Sequence, residues 1–172
     1  DVAYYLIHSM SSEHGDFSSM EAACAQNFIR LVEKTSVQQI IYLSGIVNDT
    51  SLSKHLASRK NVESILQQGK IPTTVLRAGI IVGSGSASFE IIRDLCEKLP
   101  VMVTPKWVKT KSQPIAIRNV MEYLTGVLLH PDCIGESFDI GGANVLTYKE
   151  MLHRYAKNRN FKNWIISLPV MT

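Results

Sequence analysis

Cysteine is scarce. Cys24, Cys96 and Cys133 are the three in 172 residues, odd in number and far apart. They make no CxxC pair and no disulfide framework, which points to a reducing, cytoplasmic setting. The five histidines (His8, His14, His55, His130, His153) fall at no zinc-binding spacing with one another or with cysteine, so no metal site is expected. No apolar run approaches the roughly 18 residues that a membrane-spanning helix needs. The opening residues also lack the basic segment of a secretory leader. A dominant charge of one sign is missing too. Lys and Arg number 18 against 15 Asp and Glu, leaving a formal net charge of +3. The cations form no stripe with interleaved aromatics, so no nucleic-acid surface is expected.

Hydrophobic residues make up 45% of the chain and charged ones 19%, enough apolar material for a real core. Val2 to Ile7, Gln39 to Leu43 and Thr73 to Ala78 are mainly apolar without alternation, the mark of strands buried on both faces. Between them the spacing predicts a helix over 17–34, capped by Asp16, with Met20, Ala23, Cys24, Asn27, Phe28 and Leu31 recurring at helical intervals. A second helix is predicted over 51–68, capped by Ser51 and followed by Gly69. The order β-α-β-α-β with short connections predicts an α/β fold, a parallel sheet covered by helices.

Beyond Gly83 the regular alternation gives way to shorter pieces. A helix is predicted from about Ser88 to Lys98, extended pieces at 101–103 and 106–108, and an edge strand over 113–117 that starts beside Pro114. A helix follows over 118–129, with Val120, Tyr123, Leu124, Val127 and Leu128 as its core stripe, then a short strand over 137–140. Thr147 and Glu150 form a capping box for a helix reaching about 157, and a last strand is expected from Trp164 to Leu168. The division is expected between 82 and 83. Residues 1–82 hold the main sheet and 83–172 form a smaller α+β lobe, from which 113–117 is free to return to the sheet.

The helix over 51–68 carries the most informative pattern. Val62, Ile65 and Leu66 form its apolar face, and that face projects back through His55 and Arg59, four residues apart and adjacent on the helix surface. Burying an arginine without a partner is costly. Either Arg59 pairs with a buried acid and His55 is a satisfied core histidine, or this half of the helix looks into a ligand cleft at the carboxyl ends of the strands.

Strand, Ser44-Gly45, loop and a helix with two functional groups four apart together resemble the short-chain dehydrogenase/reductase superfamily, whose corresponding helix bears a Tyr-xxx-Lys pair. His55-Leu-Ala-Ser-Arg59 stands in that place. Tyr42-Leu-Ser-Gly45, Leu76-Arg-Ala-Gly-Ile80, Ile81-Val-Gly-Ser-Gly-Ser-Ala-Ser-Phe89, Gln113-Pro-Ile-Ala-Ile117 and Phe138-Asp-Ile-Gly-Gly142 are similar to the atypical NmrA-like and nucleoside-diphosphate-sugar epimerase-like branch. The resemblance runs over nearly the whole chain. It implies a partial Rossmann-like sheet, NAD or NADP as cofactor, a small-molecule substrate, and an oxidoreductase, epimerase or dehydratase. A non-catalytic nicotinamide-binding regulator and a fragment without ligand binding are the other readings.

The resemblance assigns His55 and Ser44 to catalysis, with the imidazole as acid or base. Arg59, which cannot lose its proton, joins them as a holder of ribose or phosphate oxygens. His8, Ser9, Gly45, Ala78, Gly79 and Ile80 would line the cofactor. Ser86, Ser88 and Phe89, at the start of a helix after small residues, would face substrate together with Gln113. The family's Gly-rich turn is missing: neither GxxGxxG nor GxGxxG occurs. The chain therefore resembles a piece beginning at the family's fourth strand, so that cofactor binding is expected of the intact protein and homo-oligomers through an exposed sheet edge are expected of the piece.

Overall fold

The computed structural model describes residues 1–7, 17–46 and 54–167. Strands β1 (Val2–Tyr5), β2 (Gln39–Gly45) and β3 (Thr73–Ala78) alternate with helices α1 (Phe17–Val32) and α2 (Lys54–Gln67). Then come β4 (Ile81–Val82), α3 (Ala87–Lys98), β5 (Val101–Thr104), β6 (Lys111–Ser112), β7 (Ile115–Ala116) and α4 (Ile117–Gly126). The rest is β8 (Ser137–Ile140), β9 (Leu146–Thr147), α5 (Tyr148–Asn158) and β10 (Trp164–Ser167). The caps expected at Asp16 and Ser51 lie outside the described residues.

Contacts gather the chain into two compact units, residues 1–78 with 121–140 and residues 79–120 with 141–172. The expected division at 82/83 already allowed the two lobes to be intertwined. The chain re-enters the first unit at Met121 and leaves it after Ile140.

The first unit holds a four-stranded, all-parallel sheet in the order β1-β2-β3-β8. This is the α/β architecture that the unbroken apolar strands predict. On one face Tyr5, Ile40, Tyr42 and Val75 pack against Ala25 and Val32 of α1 and Val62 and Leu66 of α2. On the other, Tyr4 donates its hydroxyl to the Leu124 carbonyl (2.8 Å). There the fully buried Gln39 donates from Nε2 to Thr74 Oγ1 (2.8 Å) and the Val127 carbonyl (3.0 Å), while its Oε1 accepts the Leu129 N–H (2.7 Å). A buried amide is tolerable only when its donors and acceptor are satisfied, and here they tie the end of α4 to the strands.

Two helix faces differ from the expected ones. In α1, Ala25, Val32 and Glu21 are buried, whereas Met20, Cys24 and Leu31 face outward. In α2 the buried line is Ser58, Val62 and Leu66. The cause is a polar pair between the helices, in which the Ser58 hydroxyl donates to the Glu21 carboxylate. In α2 the expected Val62 and Leu66 stay inside with Ile65 packed beside them, and Ser58 extends that line toward Glu21. In α4 and its continuation Val120, Leu124 and Val127 are buried, but Tyr123 and Leu128 are exposed.

The second unit is assembled from three two-stranded pairings: β4 with β7 and β5 with β10, both parallel, and β6 antiparallel to β9. Ile92 and Cys96 of α3, Met102, Val108, Leu146, and Met151, Leu152 and Ala156 of α5 form its core. The capping box forms as expected: Thr147 accepts the Glu150 N–H, and the Glu150 carboxylate accepts the Thr147 N–H. Lys106–Lys109 is a 3-10 turn rather than an extended piece. The segment expected to return to the main sheet, 113–117, joins β4 instead; the strand that joins the sheet is β8.

Candidate functional site

The parallel strands of the first unit end side by side, and in open α/β sheets ligands bind outside those carboxyl ends. Ser44 and Gly45 close β2, and Ala78 closes β3 in register with Gly45. Gly45 has no side chain for a physical reason. A Cβ there would stand 3.3 Å from Leu56 Cδ2 and 3.9 Å from both Cδ and Nη1 of Arg59. The bare backbone lets α2 close down, so that the half-buried Arg59 reaches over the strand end. No ion pair joins Arg59 to another described residue. The backbone of His55 lies in the first turn of α2, but its side chain, like His8 and Ser9 entirely, falls outside the described residues.

Ser44 is buried, and among the described residues its hydroxyl meets no hydrogen-bond partner. Buried polar atoms are rarely left so, and one at a strand end calls for an explanation. Beneath it, Tyr42 donates weakly to the Arg59 carbonyl (3.5 Å). Burial pushes the Tyr42 phenol above its ordinary range; the nearby Ser44 hydroxyl and the Arg59 charge offset part of this, while Glu21 and Glu63 add to it. Tyr5 is pushed up to about 12, chiefly by burial and then by Cys24, Tyr42 and Glu21. Arg77 holds the other side of α2. Its guanidinium meets the buried Glu63 carboxylate at 2.5 and 3.2 Å and Asp139 of β8 at 3.4 Å.

Ala78 has its carbonyl occupied by the Ile46 N–H (3.0 Å). In the second unit, the Ile80 carbonyl accepts the Ile115 N–H (2.9 Å). Gly79 is pressed against the chain at Gln113, whose carbonyl oxygen a Cβ would approach to 2.6 Å. The Gln113 side chain donates to the Gly142 carbonyl (2.6 Å). These groups therefore stitch the unit together, where the sequence reading gave them to cofactor and substrate.

Ser86 and its neighbours behave similarly. The Ser86 hydroxyl donates to the Ile81 carbonyl (2.6 Å) and does not cap α3. Glu90 in the first turn accepts the Gly85 N–H (3.3 Å) and pairs with Arg93, so a protein carboxylate already complements the helix dipole where an anion was expected. Ser88 is exposed, and Phe89 packs edge-to-face on Tyr155 with centroids 5.7 Å apart. Of the residues singled out from sequence, the structure therefore brings Ser44, Gly45 and Arg59 together. Sequence reasoning missed Tyr42, Glu21 and Ser58. Counting back by fours from Leu66 and Val62 reaches Ser58, whereas the step of three reaches Arg59.

Among the described residues no helix is long and apolar enough to cross a membrane, and no cluster of His, Cys, Asp and Glu suits a metal ion. No family model and no curated protein matches the sequence. Solved structures do match the fold. An epimerase of Methanothermobacter thermautotrophicus superposes with TM-score 0.83 at 10% identity, over 98% of this chain and 60% of its own. UDP-glucose 4-epimerase of Thermotoga maritima, solved with UDP-glucose, gives 0.78 at 12% identity, over 98% and 64%. UDP-glucuronic acid 4-epimerase of Bacillus cereus, solved with UDP-glucuronic acid and NAD, gives 0.75 at 17% identity, over 98% and 62%. The chain thus spans less than two thirds of the length of each. Its fold is the Rossmann-like α/β fold of these epimerase structures.

Proposed function

We propose that this chain is the nicotinamide-side part of an NAD(P)-binding protein of short-chain dehydrogenase/reductase type, acting in the cytoplasm as an oxidoreductase or a sugar-nucleotide epimerase or dehydratase. The observation that carries the reading is the unpaired, buried Ser44 hydroxyl beside Gly45, with Arg59 reaching over that strand end. These residues fit the nicotinamide riboside end of the cofactor: a hydroxyl able to donate or accept, and a fixed cation for ribose oxygens. When bound, the cofactor supplies hydride transfer to or from a substrate carbon. Ser44 would orient the reacting oxygen, Arg59 would hold the ribose, and His55 would move the proton, its ordinary pKa of about 6.5 suiting that task. The sequence holds no Gly-rich turn for the pyrophosphate, so no residue here is assigned to that group.

A second reading is a regulator that binds the cofactor without turnover. It is favoured by the residue types His55 and Arg59 in the place of the Tyr-xxx-Lys pair, since a guanidinium cannot depress a neighbour's pKa and also relay its proton. Both readings are tested by titrating NADH and NADPH into the isotope-labelled chain and following amide shifts. Saturable shifts centred on Ser44, Gly45 and Ala78 that vanish in Arg59→Met support cofactor binding, and the absence of binding by the chain and by the intact protein alike overturns it. Turnover of UDP-glucose with NAD by the intact protein then separates enzyme from regulator.

The free edge of β1, flanked by the exposed Tyr4, Leu6 and Ile7, is the place where a further strand would join the sheet, either from a longer chain or from another copy.

A further inference from the structure

The ribbon of β5 and β10 has two unlike faces. Met102 is buried and Ile165 half-buried against the second unit's core. The alternate residues point the other way, and all four are large and apolar: Val101 (53% exposed), Val103 (54%), Trp164 (72%) and Ile166 (49%). The parallel register sets Val101 beside Trp164 and Val103 beside Ile166, so they form one rectangle with no polar interruption. Leu99 and Phe161, in the segments that lead into the two strands, are also exposed. Solvent-facing strand positions are ordinarily polar, and a two-stranded ribbon needs packing on a face to be secure.

We propose that this outer face is a homodimer interface, covered by the same face of a second copy of the chain. The four residues Val101, Val103, Trp164 and Ile166 present roughly 500 Å² of mostly apolar surface, the upper end of what a monomer leaves in one patch. Two such faces bury about 1,000 Å² before any rim is added, the size at which specific interfaces begin. Flat sheet faces stack about 10 Å apart with their side chains interdigitating, so the protruding Trp164 of each copy would seat against the lower Val101, Val103 and Ile166 of the other. The rim carries both signs, exposed Glu97 with exposed Lys98 and Lys162. That suits a copy of the same chain better than an anionic lipid surface, which would favour cations alone. Trp164, the largest and most exposed member, is the expected anchor.

Light scattering and sedimentation of the 172-residue chain between 1 and 100 µM test this. The expected result is a concentration-dependent dimer, with tryptophan emission shifting to the blue as it forms. Trp164→Glu and Val103→Glu should each raise the dimer dissociation constant more than about tenfold with far-UV circular dichroism unchanged, and Trp164→Phe should retain most of the association. A chain that stays monomeric at 100 µM overturns the proposal. So does a dimer that survives both Glu variants but is lost in Tyr4→Lys at the β1 edge, and so does a monomer that sediments with anionic vesicles.

Discussion

Replacing Gln39 by alanine offers a direct test of how the first unit is held. The Gln39 amide is wholly buried, and it satisfies the Val127 carbonyl and the Leu129 N–H as well as meeting the Thr74 hydroxyl. Thr74 keeps a partner after the change, because its hydroxyl donates to the Cys133 carbonyl (2.6 Å). The Val127 carbonyl keeps the longer bond it accepts from the His130 N–H (3.4 Å), whereas the Leu129 N–H is left without its acceptor. A donor left buried and unsatisfied costs about 1–3 kcal/mol, and the emptied side-chain volume adds on the order of 1 kcal/mol. Gln39→Ala should therefore cost about 3 kcal/mol and lower the melting temperature by roughly 6–12 °C in a chain of this size. Gln39→Met fills the volume without the hydrogen bonds, so it should cost about 2 kcal/mol. Urea unfolding at pH 7 followed by far-UV circular dichroism measures both. A loss below 1 kcal/mol for the alanine variant, or a methionine variant equal to the parent, would refute the idea that this amide anchors residues 127–129 to the sheet.

Ser44→Ala removes a buried, unpaired hydroxyl, so thermal unfolding should show a gain of about 1 kcal/mol while NADH-induced amide shifts are lost; a loss of stability would mean the hydroxyl has a structural partner. Leu129 sits at φ 49°, a conformation that costs an L-residue about 1–2 kcal/mol, and Leu129→Gly should be neutral or stabilising by up to about 1 kcal/mol in urea unfolding. A Cβ at Gly142 would stand 2.2 Å from the Pro114 carbonyl oxygen, so Gly142→Ala should destabilise the second unit by about 3 kcal/mol. Alkaline titration provides a further check. Burial raises the folded-state pKa of Tyr5 to about 12, so above the ordinary phenol value of about 10 the unfolded chain releases a proton that the folded chain keeps. Stability should then fall as pH rises from about 10 to 12, and Tyr5→Phe should flatten that fall.

The strands of the first unit were readable because β2 and β3 carry apolar side chains to both faces of a covered sheet, and few other structures produce that run. Helix phase was not. The apolar count in α1 favours Met20 and Leu31, yet Glu21 is inside because Ser58 on α2 supplies its hydrogen bond, and a pair made across 37 residues leaves no local trace. The return of β8 was hidden for a similar reason. Its Ser137 and Asp139 alternate with Phe138 and Ile140 like an ordinary exposed strand, but Asp139 is drawn to Arg77 and the Gln67 side chain donates to Ser137 (3.2 Å). At the site, the pairing of Ser44-Gly45 with Arg59 followed from the motif spacing. Polar groups of Gln113, Ile80 and Ser86 are engaged by other parts of the chain, which no spacing reveals.

The interleaving of the two units has a consequence for synthesis. Strand β3 acquires its outer neighbour only when Ser137–Ile140 has been made, after the chain has run through residues 79–120. A nascent chain released at Ala78 would carry a sheet with both borders open, one along β1 and one along β3. Such ribbons recruit foreign strands readily. Translation past Ile140 is thus the point at which the β3 border ceases to be a hazard, and a stalled or nicked product short of it should precipitate where the longer chain stays dispersed.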